Sequence, residues 1–139
     1  METTTQRLPV LDTCFTTLCR VVNRLLIGFL VMSVLLAAVT FLLRDHVPGA
    51  AWGRVIGLLV ASPLYLLVAN RMAAGRRWAY RRLRVLSVLG TVGIAVLVSV
   101  PGPYPVWMRV EQGVQGLILL ALAVVMAQPA IKSRFRRAR

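Results

Sequence analysis

Arg71-Met72-Ala73-Ala74-Gly75-Arg76-Arg77-Trp78-Ala79-Tyr80-Arg81-Arg82-Leu83-Arg84 divides the chain into two long apolar halves. The stretch carries six arginines and no acid. Basic clusters in short loops between apolar runs are retained on the cytoplasmic side of a bilayer and orient the neighbouring spans. Each half therefore reads as a hairpin of two membrane-length helices, with residues 71–84 as the cytoplasmic loop between them.

The whole composition agrees. Of 139 residues, enough for one domain, 58% are hydrophobic, against roughly 45–50% in a soluble domain. Four acids (Glu2, Asp12, Asp45, Glu111) stand against seventeen bases, for a net charge of +13. Such a balance suits either nucleic-acid binding or a membrane protein with basic loops. The bases punctuate apolar runs instead of spreading over a soluble face, which excludes a nucleic-acid module. Sixteen of the seventeen bases are arginine, a bias typical of high-GC bacterial coding, and the expected location is a bacterial plasma membrane. Cys14 and Cys19 match neither a C-x-x-C redox pair nor a zinc pattern.

Outward from the arginine stretch, the spans fall in order. Residues 25–43 hold no charge, and nineteen residues at 1.5 Å each cover about 28 Å, close to a hydrocarbon core. Arg44-Asp45-His46 ends that run and Val47-Pro48-Gly49 turns the chain. The second span starts at Ala50 or Trp52 and ends at Asn70, with Arg54 expected to snorkel to the surface beside Trp52. Pro63 is expected to kink it, with a hydroxyl or neighbouring helix serving the freed carbonyl. Residues 85–100 form the third span, closed by Pro101-Gly102-Pro103-Tyr104-Pro105, which cannot continue a helix. The fourth starts at Val106 or Val110 and reaches Ala127, and residues 129–139 read as a basic tail.

Before the first span, Leu8, Leu11, Phe15, Leu18, Val22 and Leu25 recur at spacings of three and four, opposite Asp12, Thr16, Arg20 and Arg24. That periodicity predicts an amphipathic helix over residues 8–24. Two arrangements fit it equally: a helix lying at the membrane interface, or an extension of the first span.

Sorting bases by side places three in the lead, six in the central loop and five in the tail, against Arg44, Arg54 and Arg109 on the other side. The expected fold is all-α: an integral-membrane antiparallel four-helix bundle with both termini cytoplasmic. The two hairpins share a V-P-G turn and a returning Trp-x-Arg-Val segment (Trp52 to Val55, Trp107 to Val110). Duplication and independent turn chemistry explain this equally well.

No ionisable residue lies deep in any of the four spans. This argues against a proton-coupled antiporter, which needs a buried carboxylate. No P-loop, G-x-S-x-G or dinucleotide fingerprint occurs, so neither catalysis nor a cofactor is expected. Polar chemistry gathers at the outer end, where Arg44, Asp45, His46, Arg54, Tyr104, Trp107, Arg109, Glu111, Gln112 and Gln115 converge if the hairpins pack together. They form either a shallow site for an anionic or amphiphilic ligand or ordinary interfacial anchors. Gln112 and Gln115 stand out, because amides entering a span seek partners on other helices.

Arg76, Arg77, Arg81, Arg82 and Arg84 of the loop, with Arg136 and Arg137 of the tail, are candidate contacts for anionic lipids. Two small-residue stripes at spacing four, Gly53-Gly57-Ala61 and Ser87-Thr91-Ala95, are candidate helix-packing faces. The expected function is non-enzymatic: association through these faces, as a homo-oligomer or as an accessory subunit of a membrane assembly. The alternative is a small transporter or permeation path for a hydrophobic or anionic solute.

Overall fold

The computed structural model describes the backbone of residues 3–102 and 104–137, and the side chains from Asp12 to Arg136 apart from residue 103. Among the described residues it is all-helical: α1 (Thr3–Leu42), a single 3-10 turn (Arg44–His46), α2 (Gly49–Ala73), α3 (Arg77–Ser99), α4 (Val106–Met126) and α5 (Pro129–Arg137). Helices α1 to α4 each contain a segment long and apolar enough to cross a membrane. Helix α1 lies against α2 and α4, α3 lies against the same two, and α5 lies against α1.

One boundary follows one of the two expected arrangements, and two differ. Residues 8–24 extend the helix of the first span, since α1 runs unbroken for 40 residues. No glycine or proline interrupts residues 10–27, and Phe15 and Val22 are buried in the same apolar cluster as Leu26 and Phe29. Pro9 thus lies inside α1, in its second turn.

The expected loop over residues 71–84 shrinks to three residues, Ala74 to Arg76, between α2 and α3. Arginine is a good helix former, so the basic stretch continues both helices until glycine stops the first. Gly75 adopts φ +85°, its N–H donates to Met72 O at 2.8 Å, and the Arg76 N–H donates to Arg71 O at 3.2 Å. This is a Schellman termination, which needs a left-handed residue at that position. Gly75→Ala is expected to destabilise the fold by about 1–2 kcal/mol, read as a lowered melting midpoint in detergent.

The second difference is the tail, of which Pro129–Arg137 is helical. Its first-turn proline is preset for the helical backbone. Ile131 and Phe135, four apart, turn one face inward, with Ile131 fully buried and Phe135 packed on the main cluster. The Phe135 ring stacks on Tyr80 at 4.8 Å and meets Phe15 edge-on at 6.0 Å. Arg134 forms an ion pair with Asp12 and lies 4.4 Å over the Phe15 ring. The Tyr80 hydroxyl donates to Met126 O at 3.2 Å, tying the start of α3 to the end of α4.

Inside, α4 presents Met108, Gln112, Gln115, Leu119, Leu122 and Met126 as its buried row, a 4-3-4-3-4 spacing that keeps one seam inward. Two apolar clusters form. The larger includes Phe29, Tyr65, Leu83 and Leu119, and the smaller consists of Leu36, Ala51, Val55 and Met108. Between them on α1, α2 and α4 the buried residues are polar: Ser33, Ser62, Gln112 and Gln115. Helix α3 contributes buried residues only up to Ser87.

The α3–α4 contact depends on two glycines. A Cβ at Gly116 would stand 2.9 Å from Ile94 Cγ2, and one at Gly90 would stand 2.8 Å from Leu119 Cδ1. Ile94 is β-branched and has little rotamer freedom to yield. Gly116→Val is therefore expected to cost about 1–3 kcal/mol by overpacking. Gly57→Ala should not lower the fold's midpoint, because a Cβ at that position would meet nothing within 4 Å and alanine favours helix over glycine.

Candidate functional site

The polar interior centres on Arg54. It lies in the second turn of α2, and Glu111 and Gln112 lie in the second turn of α4. Arg54 Nη2 donates to Glu111 Oε2 at 3.3 Å, with side chains 14% and 12% exposed. The Gln112 amide, oriented by its hydrogen-bond network, turns its oxygen to the same guanidinium and accepts from Nε at 2.9 Å and Nη2 at 3.0 Å. Arginine's planar fork serves two acceptors at once. The expected snorkelling of Arg54 is therefore replaced by an inward turn. A carboxylate and an amide on α4 offer the guanidinium the acceptors that water would have offered.

One turn further along α4, Gln115 is fully buried, and among the described residues neither its amide nitrogen nor its amide oxygen has a hydrogen-bond partner. Glu111 Oε1 and Thr40 Oγ1 are buried and unpartnered as well. Across the α1–α2 contact, Ser62 Oγ lies 2.9 Å from Ser33 Oγ and 2.6 Å from Leu58 O, and Ser33 donates to Phe29 O at 2.8 Å. Helix α2 runs unbroken through Pro63. The adjacent Ser62 hydroxyl serves Leu58 O, one position from the carbonyl of Leu59 that the proline leaves without a donor.

The structure brings together only part of the expected outer group. Arg54, Glu111 and Gln112 meet, and Gln115 lies one turn deeper. Arg109 reaches α3 instead and donates to Val98 O at 2.9 Å, satisfying a carbonyl of that helix's last turn. Tyr104 and Trp107 pack half-buried on the smaller apolar cluster. Arg44, Asp45 and His46 are exposed on the 3-10 turn, with Arg44 over the Phe41 ring at 5.8 Å.

The arginines near the α2–α3 turn divide similarly. Arg76 is exposed, Arg77 is half-buried with an unpartnered Nη2, and Arg82 lies 5.1 Å over the Trp78 ring. Arg81 and Arg84 are exposed along α3, and Arg136 is exposed on α5. The Arg137 side chain lies outside the described residues.

Of the small-residue stripes, Gly53 and Gly57 face outward and Ala61 is half-buried. Ser87 is buried and donates to Leu83 O, Thr91 is half-buried and donates to Ser87 O, and Ala95 is exposed. Sequence reasoning passed over the Ser33–Ser62 contact and the Asp12–Arg134 pair. The Ile131–Phe135 spacing was the available signal for α5, and nothing local marks the serines as facing partners.

The arrangement provides one internally neutralised charge pair, an amide bound to it, and a second amide held without a partner. No family model, no curated protein and no solved structure significantly matches this chain.

Proposed function

We propose that the protein is a multi-pass plasma-membrane protein, with α1 to α4 crossing as an antiparallel bundle and both termini in the cytoplasm. It acts without catalysis, by helix association, as a homo-oligomer or as an accessory subunit of a membrane assembly. The observation that carries this reading is the coverage of α3. Of the four long helices it buries the smallest share of its apolar segment, and no residue of α3 beyond Ser87 is fully buried. The face of that half turned away from α4 exposes Val92, Gly93 and Val96, and a glycine lets another helix approach closely. The fourteen-to-three division of bases supports the orientation, and anionic lipids of the cytoplasmic leaflet are its expected surroundings.

Two measurements test the reading. With the native cysteines removed, Ala74→Cys and Pro101→Cys should label from opposite faces of intact cells; labelling of both from one face sinks the orientation. Val92→Cys or Val96→Cys should cross-link in native membranes to a second copy or to one fixed partner. Monomer alone at every oxidant concentration rules out association through α3.

A second reading rests on Gln115, because a buried amide without a partner is also what a polar solute would meet. It describes a small transporter, which should support solute flux by itself in liposomes and lose that flux in Gln115→Leu. An associating protein should show no flux.

A further inference from the structure

Beside Tyr80 on α3 lies a groove of about 460 Å³ lined by Tyr80, Arg81, Arg84, Val85, Val88 and Leu89. Its lining is ordered along the helix. The two bases stand nearest the α2–α3 turn, and the three aliphatic residues follow toward the apolar middle of α3. From Arg81 to Leu89 the rise is about 12 Å, the scale over which a lipid passes from phosphate to the upper part of its acyl chains.

The bases around this groove are not equivalent. Arg82 is occupied by the Trp78 ring, and Arg77 is half-buried. The Tyr80 phenol is held by Met126 O and forms a fixed inner wall. Arg81 and Arg84 are exposed, and among the described residues neither enters an ion pair. A second concavity of about 510 Å³, on α5, is lined by Pro129, Lys132, Ser133 and Arg136. It is basic too, but it has no aliphatic wall.

We infer that the α3 groove is a binding site for one anionic phospholipid, its phosphate held between Arg81 and Arg84 and an acyl chain laid along Val85, Val88 and Leu89. Two guanidiniums bind a phosphate through charge-assisted hydrogen bonds. The exposed aliphatic strip gives the chain a fixed place and distinguishes this site from a general basic surface. The inference rests on the membrane placement proposed above, and adds that one lipid is bound in fixed proportion.

The test is native mass spectrometry of the full chain released from micelles containing phosphatidylglycerol or phosphatidylcholine. One phosphatidylglycerol per chain should remain bound under activation that strips phosphatidylcholine. Arg81→Gln/Arg84→Gln should weaken retention roughly thirtyfold, about fivefold for each lost base. Arg76→Gln/Arg82→Gln and Lys132→Gln/Arg136→Gln should retain the lipid as the parent does. All six positions are exposed, and an unchanged melting midpoint shows that each variant is folded.

Equal retention of the two lipids overturns the inference, as does equal loss in all three double variants. Glycerol 3-phosphate binding as tightly as the lipid would make this an anion site without a chain subsite, which also overturns it. The labelling of Ala74→Cys and Pro101→Cys is independent of these results, so a failed orientation and a failed lipid site are told apart.

Discussion

Arg54→Met should lower the stability of the fold by about 3–5 kcal/mol, because it leaves a carboxylate buried without its counter-charge. Glu111 is only 12% exposed, its Oε2 depends on Arg54, and its Oε1 already lacks a partner. The same substitution takes the donor from the Gln112 amide. Removing both charges is a different perturbation. Arg54→Met/Glu111→Leu leaves no buried ion, and replacing a buried pair by apolar residues is often neutral or favourable. The double variant should therefore recover most of the loss. Denaturant titration in mixed micelles, followed by circular dichroism, measures all the variants. A double variant as unstable as Arg54→Met would show that the site depends on the shape of these side chains and not on their charges.

Gln115→Leu should move stability the other way, by about 1–3 kcal/mol, the desolvation penalty of a buried polar group that makes no hydrogen bond. Leucine continues the apolar row that Leu119 and Leu122 begin on the same seam. Gln112→Leu, three positions away, should destabilise, since that amide accepts from Arg54. The opposite signs are the diagnostic, because the two residues have the same chemistry, the same helix and nearly the same burial. A loss of stability in Gln115→Leu within membranes, absent from the isolated monomer, would mean that the amide is satisfied by another molecule. Cross-linking at Val92 and liposome flux would then decide whether that molecule is a second chain or a solute.

Much of the architecture was legible in the apolar runs. Residues 25–43 lie almost wholly within α1, and the other three runs lie largely within α2, α3 and α4, because a length of uncharged chain near 30 Å is itself the physical requirement for a span. The turns were legible as well, since Pro48 and Pro105 immediately precede α2 and α4. Less legible were the basic segments. Residues 71–84 and 129–139 read as loop and tail by charge, yet arginine favours helix. Among the described residues, only the turn at Gly75 and the break before Pro129 interrupt the helices there.

The candidate site was legible as a set of residues and not as a set of contacts. Ten polar residues were placed near one end by their positions along the spans. Which of them meet depends on how each helix is rotated, and a helix that is apolar nearly all round does not reveal its buried face through hydropathy. Gly53 and Gly57 show the limit: their spacing suits a packing face, and they point away from the chain's own interior. Gly90 and Gly116 make the close approach instead.

By itself the sequence determined the number and approximate position of the apolar helices and the clustering of the bases. These follow from local chemistry: apolar length and charge. The tertiary structure decided that Arg54 turns inward to Glu111 and Gln112, that Gln115 is buried with no partner, that α5 closes over Phe15 and Tyr80, and that Arg81 and Arg84 border an aliphatic groove. Each of these depends on which face of one helix meets which face of another. That is settled by packing between helices and by the reach of individual side chains.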